Sequence, residues 1–174
     1  MTEQTLLTPK YITLEVVSIA VGIALKTVMS GHFIRVKRRH CHVVVLVPAM
    51  KDDRAGDYPA WPDYPLTPVA LYEKSVGDPK EWEHPYAAIA RSKALQLWTD
   101  RNDGQAGVIP HLLFSGDTPY WGGVKRDGIV VVCSGIQPWL NRLIAGITAD
   151  TTVALAHDAY ENDEERKRGV DFLS

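Results

Sequence analysis

Two cysteines among 174 residues cannot build a disulfide framework. Both Cys41 and Cys133 sit inside apolar β-branched runs, where a small buried thiol is expected. Strong charge of either sign is missing as well. The chain has 19 basic and 21 acidic residues and a formal net charge of -2, so no global field draws it to nucleic acid or an anionic membrane. No apolar run reaches membrane-spanning length; the nearest, Val16 to Val28, is interrupted by Lys26. The N-terminal MTEQTLLTPK has no basic start, apolar core or small-residue cleavage site of a secretory signal. The expectation is a soluble, cytoplasmic protein with no nucleic-acid or membrane partner. Internal repeats, low-complexity tracts, nucleotide-binding glycine frames and a Gly-x-Ser-x-Gly nucleophile frame are all lacking.

What is present suits one core. With 45% hydrophobic and 23% charged positions, residues 1–174 are expected to form a single domain. Thr13 can cap a helix that carries Val16, Val17, Ala20, Val21, Ile23, Ala24, Leu25 and Val28, and these residues cover more than one face. Such a helix asks for burial on two sides, which predicts a homo-oligomer. Ser30-Gly31 ends it, and CHVVVLV (41–47) reads as a central strand. From Pro48 to Pro85 the composition shifts to seven prolines with Tyr58, Trp61 and Tyr64. That stretch reads as a long decorated insertion in which only Pro68 to Val76 is patterned like a strand.

Pro85 can open a helix that runs to Leu97. Val108 to Phe114 reads as a short strand. The segment WGGVKRDGIVVVCSG (121–135) combines a glycine pair, an Asp127-Gly128 turn and a strand buried on both faces. After Pro138 the spacing is helical, with Gly146 as a break and Thr148 as a fresh cap. Residues 161–174 read as a charged, fraying tail.

The strings ITLEVVSIAVGIALKTVMSG, ARSKALQLW and GGVKRDGIVVVCSG resemble those of the GlcG/HbpS-like heme-binding domain, also found as the C-terminal domain of PduO proteins. The resemblance spans roughly the whole chain. It implies an α+β fold, a profilin-like α-β-α sandwich with a central antiparallel sheet, in a symmetric oligomer, with heme as a cofactor of some members. Lys93 and Ala94 match the family's Lys-Ala, Gly122 and Gly123 its glycine pair, and Ser134 and Gly135 its Ser-Gly. Pro48-Ala49-Met50 stands where members carry an acidic residue and glycine after the first strand. The segment between the Ser-Gly and Thr148-Ala149-Asp150 is also longer than theirs.

Several residues carry candidate chemistry. His40 and His42 alternate on one strand face and could share a metal or an anion; the plain reading is strand-edge histidines beside the basic residues Arg35, Lys37, Arg38 and Arg39. His84 immediately precedes the Pro85 helix and could act as cap, ligand or acid-base catalyst. Arg91, seven residues on, lies on nearly the same helical face and could anchor a carboxylate beside it. Lys93 projects about 200° from His84 on a regular helix, so these three cannot all face one ligand unless the helix start is irregular. Ser134 is expected to cap the next helix or donate to a ligand rather than attack a carbonyl. Gly122 and Gly123 could offer backbone N–H groups to an anion or serve packing alone, and Tyr120 and Trp121 could wall a flat ligand.

Three functions follow. The first is a small-molecule-binding protein, its pocket formed by the second helix, the glycine pair and the Ser134 end of the last strand, with heme or a small organic acid as ligand. The second is an enzyme of small organic acid or aromatic catabolism that uses His84 and Arg91 and needs no cofactor. The third is an oligomeric interaction module.

Overall fold

The computed structural model describes residues 6–33, 39–51, 66–102, 109–171 and 173. Its center is β2 (Cys41–Lys51), paired antiparallel with β3 (Thr67–Val76) on one side and β5 (Ile129–Ser134) on the other. β4 (Gly123–Arg126) extends the sheet beyond β5, and β1 (Leu6–Leu7) pairs with the far end of β2 at Met50 and Lys51. The five strands form one antiparallel sheet.

Helices cover both faces, so the protein is an α+β sandwich. Alternation along β2 and β5 sends Cys41, Val43, Val45, Val47, Ile129, Val131 and Cys133 toward α1 (Leu14–Met29) and α3 (Pro138–Asn162). It sends Val44, Leu46, Val130 and Val132 toward α2 (Tyr86–Trp98), where Ala90, Ala94 and Leu97 complete a smaller core. Every residue of β5 is buried, and each buried valine side chain contributes about 1.5–3 kcal/mol.

Thr13 Oγ1 accepts from the Val16 amide as the cap of α1, and the helix ends at Ser30. Its buried stripe is Val17, Ala20, Val21, Ala24, Leu25 and Val28, while Ile19 and Ile23 stay exposed one turn apart. Among the described residues no helix is long and apolar enough to cross a membrane.

Four local expectations are corrected. Pro48 does not end the first strand, because β2 continues to Lys51 and Pro48 lies opposite Pro68, beyond the last β5 partner Leu46. Both rings sit where no ladder donor is required. The ends of the 48–85 stretch therefore belong to the sheet, whereas Tyr58, Trp61 and Tyr64 lie outside the described residues, as do Arg35, Lys37 and Arg38. Residues 110–112 form a 3₁₀ turn rather than a strand, with Pro110 fixing its start. Gly146 does not break the last helix and Thr148 does not cap a new one. α3 runs unbroken for 25 residues; the Arg126 guanidinium packs over Gly146, and Thr148 is buried. The charged tail is partly folded, since Asp163 caps a short α4 (Glu164–Arg168) and Lys10 bonds Glu165 at 2.5 Å.

Candidate functional site

The tyrosine, alanines, leucine and lysine of α2 that face the sheet fall at Tyr86, Ala90, Lys93, Ala94 and Leu97, the i, i+4, i+7, i+8, i+11 spacing of one buried stripe. Lys93 is thus carried into the interior by the same periodicity that buries its apolar neighbors, and it is only 1% exposed. Its Nζ donates to the carbonyl oxygens of Trp121 (3.0 Å) and Cys133 (3.1 Å). No carboxylate among the described residues forms an ion pair with it, and burial lowers its pKa from 10.5 to about 8.

The same helix fastens the loop before β4. Gln96 Nε2 donates to Thr118 O at 3.1 Å, Ser92 Oγ accepts from the Thr118 amide at 3.0 Å, and Asn102 Nδ2 donates to Tyr120 O at 3.3 Å. Lys93, at Trp121 O, is the last link in that series. At the other end of α2, Lys125 Nζ caps the carbonyl of Trp98 at 2.9 Å.

A cavity of about 210 Å³ opens beside Lys93. Its wall comes from His84, Tyr86 and Ile89 at the start of α2, Tyr120 and Trp121 of the fastened loop, Ser134 to Ile136 leaving β5, and Pro138 and Asn141 at the start of α3. Asn141 holds the rim in place, donating from Nδ2 to Ile136 O at 3.0 Å. The N-termini of α2 and α3 therefore meet at one space, and the partial positive charge of each favors an anion there. Ser134 is 2% exposed, and its Oγ has no hydrogen-bond partner among the described residues. A ligand oxygen arriving in the cavity can supply the hydrogen-bond partner this hydroxyl lacks among the described residues.

The cavity brings His84, Lys93 and Ser134 together and leaves Arg91 out. Arg91 points to the other side of α2, where it donates to Glu73 from Nε (3.0 Å) and Nη2 (2.6 Å). The wheel that separates His84 from Lys93 does not apply, because α2 begins at Tyr86 and His84 precedes its Pro85 cap in non-helical backbone. Ser134 does not cap α3 either. The helix starts at Pro138 behind Gln137, three residues further on.

Gly122 and Gly123 are buried but lie outside the cavity wall. A Cβ on Gly122 would lie 3.0 Å from Pro138 O, and one on Gly123 would lie 2.6 Å from Leu97 Cδ1. Their lack of a side chain lets α3 and α2 approach the sheet. Cys133 is fully buried, and burial pushes its thiol well above the ordinary value.

One group of polar residues escaped the reading of the sequence. His42 is 4% exposed; its Nδ1 lies 3.0 Å from Ser75 Oγ and its Nε2 3.1 Å from Glu73 Oε2. Burial lowers the His42 pKa against the pull of Glu73, and the Arg91 guanidinium holds the Glu73 carboxyl below its ordinary range. The imidazole is therefore neutral at physiological pH, with Nε2–H donating to Glu73 and the Ser75 hydroxyl donating to Nδ1. The alternation of Glu73 and Ser75 along β3, set opposite His42, was the available signal. His40 does not share a ligand with it. Its Nε2 lies 3.7 Å from Glu81, and among the described residues no three His, Cys, Asp or Glu side chains form a metal site.

No protein-family model, curated protein or solved structure matches the chain. The chemistry of the cavity therefore has to carry the functional reading. Its volume of about 210 Å³ lies below the ~300 Å³ at which pockets for drug-sized ligands begin, so it does not enclose a whole heme macrocycle.

Proposed function

We propose that the protein binds a small organic carboxylate in the cavity between α2, β5 and α3. The observation that carries this reading is the pairing of an unpartnered Ser134 hydroxyl with a Lys93 amine that has no acidic neighbor, both buried in one wall. The N-termini of α2 and α3 add favorable potential for the carboxylate, Tyr120 and Trp121 cover its carbon chain, and His84 stands at the same wall as a proton donor or acceptor. The resemblance to GlcG/HbpS-like domains supports a ligand-binding role and a profilin-like form of the sandwich. Arg91 is not part of the reading, since Glu73 already holds it. The exposed Ile19 and Ile23 of α1 favor assembly of two or more copies through that helix, which light scattering at micromolar concentration tests directly.

Thermal unfolding and calorimetry with lactate, pyruvate and succinate test the ligand. A carboxylate at a hundredfold excess over its Kd raises stability by about 2.7 kcal/mol, and Ser134→Ala weakens its binding. If none of these acids binds, the reading fails. If hemin is retained stoichiometrically with a Soret band that His84→Ala abolishes, heme replaces the carboxylate as ligand.

A further inference from the structure

The geometry points to Lys93 as a covalent ligand that forms an imine with the carbonyl carbon of a 2-oxo acid held in this cavity. The imine deepens the carboxylate-binding reading and rests on it. An ammonium has three N–H bonds, whereas a neutral amine has two and a lone pair. Lys93 Nζ finds two acceptors, Trp121 O at 3.0 Å and Cys133 O at 3.1 Å. Among the described residues no carboxylate stands by to stabilize a charge. Two fixed N–H bonds leave the lone pair as the remaining tetrahedral direction of the nitrogen, on a residue that lines the cavity. Burial adds to the same effect: the amine titrates at about 8, so its neutral form is about two orders of magnitude more abundant near neutral pH than that of an ordinary lysine. Desolvated lysines of this kind are the ones that act as amine nucleophiles.

The unpartnered Ser134 hydroxyl supplies the second element. A simple carboxylate engages it once, but a 2-oxo acid offers a carbonyl oxygen as well, next to the carbon that Nζ would attack. In the first step the Nζ lone pair forms a C–N bond, the carbonyl π electrons move to oxygen, and a proton passes from nitrogen to that oxygen, giving a carbinolamine. The C–O bond then breaks as the nitrogen lone pair forms the C=N bond. One proton, delivered by way of the His84 imidazole or from solvent, leaves with the oxygen as water. The product is a protonated imine whose one remaining N–H keeps one of the two carbonyl acceptors. No oxidant or reductant enters the balance.

Borohydride trapping tests it. The protein is incubated with pyruvate, with lactate as the 2-hydroxy counterpart that has no carbonyl, and reduced; intact mass and peptide mapping then locate the adduct. The expected result is one reduced pyruvyl group per chain on the Lys93 peptide, at least about tenfold above any exposed lysine such as Lys26. Lactate should give none, and the yield should climb as pH rises toward 8. Lys93→Arg, which keeps a long basic side chain but cannot form an imine, should lose the adduct. If pyruvate and lactate bind equally well and the label is spread over surface lysines, the imine is overturned while carboxylate binding stands. If neither acid binds the imine falls, and if succinate does not bind either, carboxylate binding falls with it.

Discussion

Replacing Lys93 with Met removes a buried titrating amine and keeps an unbranched side chain of similar length. In the folded protein burial sets the amine at about 8, against 10.5 for the ordinary group. Between those values the unfolded chain carries a proton that the folded chain does not, so the stability of the wild type rises with pH across that window. Below it both states are protonated, and the cost of the buried charge is at its maximum. At 1.36 kcal/mol per pKa unit the full cost is about 3 kcal/mol, of which about 2.5 kcal/mol is relieved between about pH 7 and about pH 10. Methionine does not titrate. The difference in unfolding free energy, wild type minus Lys93→Met, should therefore climb by about 2.5 kcal/mol across that range, as read by urea denaturation of both proteins in parallel buffers. Other titrating groups contribute to both proteins and cancel in the difference. The two carbonyls orphaned by the substitution shift the whole curve but do not bend it. A flat difference, or one that falls as pH rises, would show that Lys93 stays charged in the folded state and would remove the free lone pair on which the imine depends.

Four further substitutions separate packing from binding. Ser134→Ala deletes a buried hydroxyl that has no partner, so the free protein should keep its stability or gain up to about 1 kcal/mol in urea unfolding, whereas calorimetry should show weaker binding of the acid. Arg91→Ala breaks a bidentate pair whose arginine is more than half exposed, so it should cost under about 1 kcal/mol. It should also raise the His42 pKa in an NMR titration, since Arg91 lowers it, and leave acid affinity unchanged. Gly135→Ala places a Cβ against His40 O and 2.7 Å from Cys41 Cα at φ +129, for a loss of about 3 kcal/mol or more. Gly116→Ala, with positive φ but open space around it, should cost only about 1 kcal/mol.

The layers of the fold were legible because alternation and helical spacing are written directly in the residues. The runs at 41–47 and 129–132 could only be strands buried on both faces, and the Thr13 cap and Ser30-Gly31 stop framed α1. Signals that depend on distant partners were less readable. Gly146 looks like a helix break until Arg126, paired with Asp150, covers it. The burial of Lys93 was not read from the sequence, although the stripe Tyr86, Ala90, Ala94, Leu97 already includes its direction. Charge argued for solvent where periodicity argued for burial, and periodicity prevailed because two backbone carbonyls were available to meet the amine. His84 was misplaced for a simpler reason: a helical wheel was extended one residue past a proline that ends it.

The site and the register of the sheet are one constraint. Pairing of His42 with Ser134 and with Ser75 sets three polar side chains on the α2 face at the same end of the sheet, while Val44, Leu46, Val130 and Val132 fill that face further along. The polar end is also where β5 leaves the sheet and where α2 and α3 begin, so unpaired backbone donors and polar side chains gather in the same place. Lys93 lies at the boundary, its stem among apolar neighbors and its amine at the first polar acceptors it can reach. A slip of β5 by one residue against β2 would turn Ser134 toward the dry core under α1 and α3 and put Cys133 into the cavity. Gly135 opposes such a slip, because its backbone sits directly on His40 and Cys41, where no side chain has room. The glycine that reads as a loop residue in the sequence thus fixes the register that places the Ser134 hydroxyl beside the Lys93 amine.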